Sequence, residues 1–374
     1  MPTPLLDTLG IDVPILQSGM GGVAGPELVA TVSSAGALGT LAALNLSPER
    51  VRAGIRTVRD LTGAAFGVNI WLHDELQPPI APSELSSDRV AEVQAALNGV
   101  RSQLGLEPVL GAPSATPDLV GAALEVMVEE RIPVFCAAIG LPSADLVERF
   151  HRVGSRVVAM VASVGDALDA VGRGVDVVVA QGAEAGGHRS HGTKPARRDA
   201  RGTGTIALVP AVVDAVGGRV PVVAAGGIAD GRGLAAALML GAQGVLFGTR
   251  FVATAESGAH DAWKRALLAP GSATVLTDAF TGQWARSLDN AYVRAYEASG
   301  AATLPSLLQT RAANDVFEHG RAHGDADFMP LYAGESAALI EDLPSSAEVV
   351  RRIVAEAEAA LGRPLGRASE ATGG

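Results

Sequence analysis

Short apolar runs recur along the chain, each followed by a stretch with helical spacing. They cover residues 13–18, 38–43, 66–72, 134–139, 156–162, 175–181, 220–225 and 244–251. The runs are nearly continuous in Val, Ile, Leu and Ala, a pattern that predicts parallel strands covered on both faces. The segments between them carry helix start signals. Pro26-Glu27, Ser47-Pro48-Glu49 and Pro142-Ser143-Ala144-Asp145 put proline or a capping residue ahead of an amphipathic run. Eight strands alternating with helices either close into a (β/α)8 barrel or spread into an open doubly wound sheet. Eight is the barrel number, and the units fill about 250 residues, the usual barrel size. The expected fold is α/β, a (β/α)8 TIM barrel with a mostly helical cap and insertion.

The same pattern divides the chain. Barrel residues 1–75 are followed by an insertion with helices at 76–132, then barrel again at 133–254. A helical cap follows at 255–336, a C-terminal barrel helix at 337–362 and a flexible tail at 363–374. Helices are expected at 87–104, 117–130 and 345–361. The cap collects most of the aromatics: Trp263, Phe280, Trp284, Tyr292, Tyr296, Phe317, Phe328 and Tyr332.

Composition removes several classes of function. Hydrophobic residues make up 48% and charged residues only 18%, so the chain is not broadly disordered. A net charge of −11 without a long basic stripe argues against nucleic-acid binding. The positive mean hydropathy raises the membrane question. The longest uncharged run, 28–48, is broken by Ser33, Ser34, Gly36, Gly39, Thr40, Asn45 and Pro48, so it does not read as a span. No Lys or Arg precedes Arg50, so the charged region of a signal peptide is missing. The single cysteine, Cys136, lies mid-strand, which leaves no disulfide framework and no cysteine-based metal site. No His/Asp/Glu spacing suggests a metal either. A cytoplasmic enzyme acting on a small molecule is expected.

In a barrel the chemistry sits where the strands end. Strand one ends in Gln17-Ser18-Gly19-Met20-Gly21-Gly22, strand three in Asn69-Ile70-Trp71, strand six in Gln181-Gly182-Ala183-Glu184-Ala185-Gly186-Gly187-His188, strand seven in Ala225-Gly226-Gly227 and strand eight in Gly248-Thr249-Arg250. Glycines there let backbone N–H groups approach a ligand. The loops after strands seven and eight form the common phosphate site of such barrels. Gly226, Gly227, Gly248 and Thr249 fall in that pair, ahead of a helix near 230–240 whose dipole favours an anion. Residues 19–24 also match the dinucleotide pattern G-x-G-x-x-A, but no acidic residue follows until Glu49, against a Rossmann domain.

His188 is the best candidate for proton chemistry, because it follows two glycines at a strand end. His73 also follows a strand end and is a weaker candidate. His191 is expected to be exposed in the same loop as His188, while His151, His260, His319 and His323 suit surface or capping roles. Arg189, Lys194, Arg197, Arg198 and Arg201 stand against Asp199 alone in 189–201. That loop is either solvated or an attractor for an anionic ligand.

With these residues in view the chain resembles the nitronate monooxygenases, formerly 2-nitropropane dioxygenases. The resemblance covers 14–20, 66–71, the run AQGAEAGGHR at 180–189, VVAAGGIADGRG at 222–233 and GTRF at 248–251. In the cap it covers 256–260, Thr281-x-x-x-Ala285-Arg286-x-Leu288-x-Asn290 and PLYAGES at 330–336. The strand-six run is shared with FMN-dependent enoyl-ACP reductases. The resemblance implies an FMN-dependent barrel that oxidises alkyl nitronates, of the propionate 3-nitronate type, with O2 to a carbonyl compound and nitrite. It implies His188 as catalytic base, and Met20, Asn69 and Gln181 beside the isoalloxazine. Gly186 and Gly187 would let the backbone pass close to the cofactor. Ala225, Gly226, Gly227, Gly248 and Thr249 would complete the FMN site, and Tyr332, Gly334 and Glu335 would form the loop over the flavin. Two positions depart from the family pattern: Ser190 replaces a usual Gly, and Glu335 a usual Gln. The alternatives are an NAD(P)H-dependent FMN reductase of the enoyl-ACP or quinone type, a flavin-free phosphate-binding barrel, and a non-catalytic flavin-binding protein.

Overall fold

A computed structural model describes residues 3–366, apart from the side chain of Arg198; residues 367–374 of the expected tail lie outside the described residues. Eight parallel strands follow the predicted runs: β1 (Ile15–Gln17), β2 (Gly39–Ala42), β3 (Phe66–Trp71), β4 (Val134–Ala138), β5 (Arg156–Val161), β6 (Val177–Gln181), β8 (Val222–Ala225) and β9 (Gly244–Phe247). Their order is β1-β9-β8-β6-β5-β4-β3-β2. The ring closes between β1 and β2, where the Gln17 N–H donates to the Leu38 carbonyl at 2.8 Å and the Leu38 N–H to the Ile15 carbonyl at 2.9 Å. The buried Gln17 side chain adds a third link, accepting from the Thr40 N–H at 3.0 Å.

Alternation along each strand sorts its side chains into two layers. Leu16, Val134, Val158, Val177, Val179 and Val223 fill the barrel interior together with Leu5, Leu6 and Leu9. Ile15, Val68, Phe135, Val157, Val178, Ala224 and Val245 join the larger cluster under the surrounding helices. Leu5, Leu6 and Leu9 belong to a short helix, Pro4–Leu9, which plugs the N-terminal end of the barrel. Its six residues are too few for a periodic signal, and the sequence pattern does not reveal it. Gly244 makes room for it, since a Cβ there would meet Leu5 Cδ2 at 2.6 Å.

Two expected boundaries move. The eighth strand stops at Phe247, and Thr249–Val252 turns into a short helix, although the run stays apolar to Phe251. The helix expected from 117 begins at Val120. Ser47 and Ser143 cap the helices Pro48–Leu61 and Ala144–Arg152, accepting from Arg50 and Leu146 N–H groups at 3.4 and 3.2 Å.

The insertion helix Ser87–Leu104 packs with the cap in a separate core that includes Val93, Leu97, Val100, Phe280, Tyr292 and Phe317. Arg101, 1% exposed, pins the two together through Asp315 at 2.7 Å and the Ala312 carbonyl at 2.6 Å. The cap is mostly helical, but it also holds β10 (Thr274–Thr277) and β11 (Ala285–Leu288), antiparallel to β7 (Gly187–His188). Through β7 the cap grips the loop after β6 directly. The last helix, Ser346–Leu361, packs on Gly231–Met239. Gly231 permits the approach, because a Cβ there would lie 2.5 Å from the Ile353 carbonyl.

Candidate active site

A cavity of about 710 Å³ opens at the C-terminal ends of the strands, within the usual size range of ligand sites. It gathers Met20, Asn69, Gln181, Gly186, Gly187, His188, Ala225, Gly226, Gly227, Gly248, Thr249, Tyr332 and Gly334 from loops far apart in sequence. Glu335 is the exception. Its backbone N–H reaches the Glu184 carbonyl at 3.0 Å, but its carboxylate turns to Arg286 at 3.0 Å and stays about half exposed. Its backbone thus belongs to the loop beside the cavity, while its side chain lies outside the lining.

One end is built from backbone. Gly226 and Gly227 adopt φ of +104° and +72°, which side-chain-bearing residues rarely do. Gly186 is pressed against the cover loop, where a Cβ would lie 2.4 Å from the Gly334 nitrogen. The N–H groups of Gly227, Ile228, Gly248 and Thr249 make no hydrogen bond among the described residues. They form a set of unspent donors suited to phosphate oxygens. The Thr249 hydroxyl accepts from the Gly334 N–H at 2.9 Å, which keeps its own hydrogen available and ties the cover loop to this end. The expected helix dipole plays a smaller part. Asp230 caps the helix Gly231–Met239 and accepts from the Arg232 and Gly233 N–H groups, so that helix start already holds a carboxylate. The donors left over for an anion are the loop amides.

His188 stands at the centre. Its Nε2 lies 2.8 Å from Thr281 Oγ1, and its ring packs between Trp71 at 4.4 Å and Tyr332 at 5.0 Å. Burial, helped by nearby His73, pushes its pKa down to about 3. The imidazole is neutral at ordinary pH and a weak base. Gln181 holds the loop in place: its Nε2 donates to the His188 carbonyl at 2.8 Å, and its Oε1 accepts from the Ser190 N–H at 2.8 Å. Asn69 donates to the Cys136 carbonyl at 3.1 Å, and Gly19 leaves it room, since a Cβ there would sit 2.4 Å from Asn69 Cβ.

Other candidates fall elsewhere. His73 is fully buried beside His188 but outside the cavity lining; its Nδ1 accepts from the Glu75 N–H at 3.1 Å. His191 is half-buried rather than exposed. His260 caps Asp261–Leu268 as a helix-capping role requires, and also lines the cavity mouth. Burial holds the Cys136 thiol up at about 12, consistent with an inert core residue.

Three cations of the basic loop are already engaged: Arg189, Lys194 and Arg197. Arg189 is 5% exposed and donates to the carbonyls of Gly182, Ala183 and Ala185. Lys194 pairs with Asp278 at 2.5 Å and lies over Trp284, and Arg197 also faces that ring and pairs with Glu297 at 3.6 Å. These cations fasten the loop to the cap. Ser190 is structural too: its hydroxyl donates to the Met160 carbonyl at 2.8 Å and accepts from the Ile139 N–H at 3.2 Å.

Sequence reasoning passed over Trp71, Thr281, Trp263, Thr310 and Arg321, all of which line the cavity. Trp71 closes the strand end next to Asn69, and Thr281 begins the cap motif, so position and motif were available signals for those two. Nothing local marks the others. Among the described residues no Asp or Glu lines the cavity, although the chain has 40 of them. Among the described residues no cluster suits a metal ion, and no helix is long and apolar enough to cross a membrane.

The chain matches the family model described as Nitronate monooxygenase over residues 2–356. It is 34% identical to a probable nitronate monooxygenase of Staphylococcus haemolyticus, over 90% of this chain and 91% of that one. A counterpart from Staphylococcus aureus is 33% identical over 91% and 94%. Among solved structures, nitroalkane oxidase from Streptomyces ansochromogenes aligns with a TM-score of 0.85 and 33% identity, covering 96% of this chain and 99% of that one. FabK from Thermotoga maritima aligns at 0.75 and 29%, covering 97% and 98%.

Proposed function

The chain belongs to the nitronate monooxygenase family, as a flavin-dependent oxidoreductase, and from that premise we propose that it uses FMN to oxidise alkyl nitronates of the propionate 3-nitronate type with O2. One observation carries the reading: an acid-free cavity with unspent backbone donors at one end and a neutral histidine at its centre. The donors of Gly227, Ile228, Gly248 and Thr249 suit a mononucleotide phosphate. Met20, Asn69 and Gln181 would border the ring system. When bound, FMN supplies the electron acceptor and the reaction with O2, which protein side chains cannot provide.

The residues of the chain handle charge and protons. A cavity without carboxylates accepts an anionic nitronate without like-charge repulsion. His188 carries one ring proton when neutral, and Thr281 fixes its orientation through Nε2. A histidine held near 3 takes a proton from a neutral nitroalkane reluctantly, so preformed nitronates are the better substrates. A bound anion raises that pKa, which lets His188 share its proton with a nitronate oxygen. Products are the carbonyl compound and nitrite. The single, half-buried free Cys136 supports work in the cytoplasm, where thiols stay reduced.

The test is an anaerobic titration of the flavin spectrum. Propionate 3-nitronate is expected to bleach the flavin, and NAD(P)H to leave it oxidised. Rapid bleaching by NAD(P)H alone would favour the reductase alternative, which its FabK likeness keeps in view. In aerated buffer, His188→Asn should lower turnover of the neutral nitroalkane about 100-fold or more, and that of preformed nitronate far less. Unimpaired turnover of the nitroalkane would remove His188 as the base.

A further inference from the structure

Among the described residues, Arg321 is the one Arg, Lys, Asp or Glu in the cavity lining. It projects from the helix Asn314–His323, whose C-cap, Gly324, abuts His260: a Cβ on Gly324 would lie 3.8 Å from His260 Cε1. His260 Nδ1 already accepts the Ala262 N–H at 3.1 Å, so its Nε2 is the nitrogen left to donate. Trp263 lines the same wall, and its indole N–H is buried without a partner among the described residues. Arg321, His260 and Trp263 thus bring donors to a lining that holds no carboxylate among the described residues. The Tyr332 ring separates them from His188, at 5.0 Å from the imidazole and 6.5 Å from Trp263. Arg321 does pair with Glu318 at 2.7 Å, but both are exposed and three residues apart on one helix. Such pairs contribute little, and the remaining guanidinium N–H groups stay available.

We propose that Arg321, assisted by His260 and the Trp263 N–H, recognises a carboxylate on the substrate's distal end, and that this contact determines specificity among nitronates. The inference rests on the nitronate reading above and deepens it. Guanidinium is the side chain best matched to a carboxylate, which it holds with two parallel hydrogen bonds. The Tyr332 ring then acts as the spacer wall. A substrate long enough to reach both ends places its reacting carbon beside His188 and its charge beside Arg321.

The experiment compares propionate 3-nitronate with butyl-1-nitronate on the flavin-loaded enzyme. Wild type should prefer the carboxylated substrate about 10- to 100-fold in kcat/KM, mostly through KM. Arg321→Met should remove that preference, Arg321→Lys should keep part of it, and Arg351→Met, on the distant helix Ser346–Leu361, should keep all of it. Wild type without a preference, or Arg321→Met with its preference intact, would overturn the proposal. Calorimetric titration with 3-nitropropionate and 1-nitrobutane needs no turnover and separates the two readings. If neither nitronate is oxidised, the functional reading fails. The Arg321 assignment then stands or falls on whether Arg321→Met abolishes the stronger binding of 3-nitropropionate.

Discussion

At the strand ends, Gly186, Gly187, Gly226, Gly227 and Gly248 present bare backbone to the cavity; from the cap, Trp263, Thr281, Arg321 and Tyr332 present side chains. The two walls fail differently. A backbone wall depends on φ angles and on the absence of Cβ atoms, so a single methyl group can close it. A side-chain wall depends on individual contacts, each worth about 1 kcal/mol, so it degrades in steps. The first wall suits an invariant ligand such as a cofactor, and the second suits a substrate.

The largest expected effect breaks the backbone wall. In Gly226→Ala the new Cβ would lie 2.9 Å from the Ala185 nitrogen and 3.1 Å from the Gly182 carbonyl oxygen, at a φ of +104°. Strain of this kind costs about 1–3 kcal/mol, or roughly 5- to 150-fold in affinity if it falls on the bound state. Purified Gly226→Ala should retain little flavin by absorbance, with the barrel's circular dichroism preserved. Full flavin content would show that the loop yields and that backbone shape is not what holds the cofactor.

This contrast also governs what could be read from the chain. Glycine pairs directly after apolar runs are local signals, so Gly186, Gly187, Gly226, Gly227 and Gly248 were legible. The strands were legible too, because both faces are buried and the apolar runs are unbroken. Strand eight was overrun because Phe251 and Val252 continue the hydrophobic run as a helix. The β7–β11–β10 sheet was invisible, since a two-residue strand has no pattern and β11 pairs with it from nearly a hundred residues away. Trp263, Thr310 and Arg321 met the cavity only through the cap's tertiary packing. The basic loop misled for the same reason: its partners Asp278 and Glu297 lie in the cap.

A middle-sized effect tests the side-chain wall. Thr281 is 6% exposed, bonds His188 Nε2 at 2.8 Å and is held in turn by the Gln283 N–H at 3.3 Å. It acts through His188, as a positioning residue. Thr281→Ala removes one hydrogen bond of about 1 kcal/mol, so turnover should fall about fivefold. Flavin content should stay normal, in contrast to Gly226→Ala, and Thr281→Ser should recover most of the loss. Loss of flavin in Thr281→Ala would blur the division between the two walls.

The smallest expected effect lies where the walls meet. Glu335 follows Gly334 in the cover loop, and a carboxylate facing the cavity there would repel an anionic substrate. The geometry removes the conflict. Its carboxylate pairs with Arg286 at 3.0 Å, while the cover loop is held by backbone, through the Glu335 and Gly334 N–H groups. Arg286 keeps other acceptors, donating to the Ala183 carbonyl at 3.1 Å and to Thr274 Oγ1 at 3.2 Å. Glu335→Gln should therefore cost at most about 1 kcal/mol, the worth of a half-exposed ion pair. Thermal melting should shift by no more than about 2 °C, with KM for the nitronate nearly constant. A several-fold drop in KM would mean that the carboxylate swings into the cavity during turnover. The cover loop would then belong to the side-chain wall proposed to read the substrate, and no longer to the backbone wall proposed to hold the flavin.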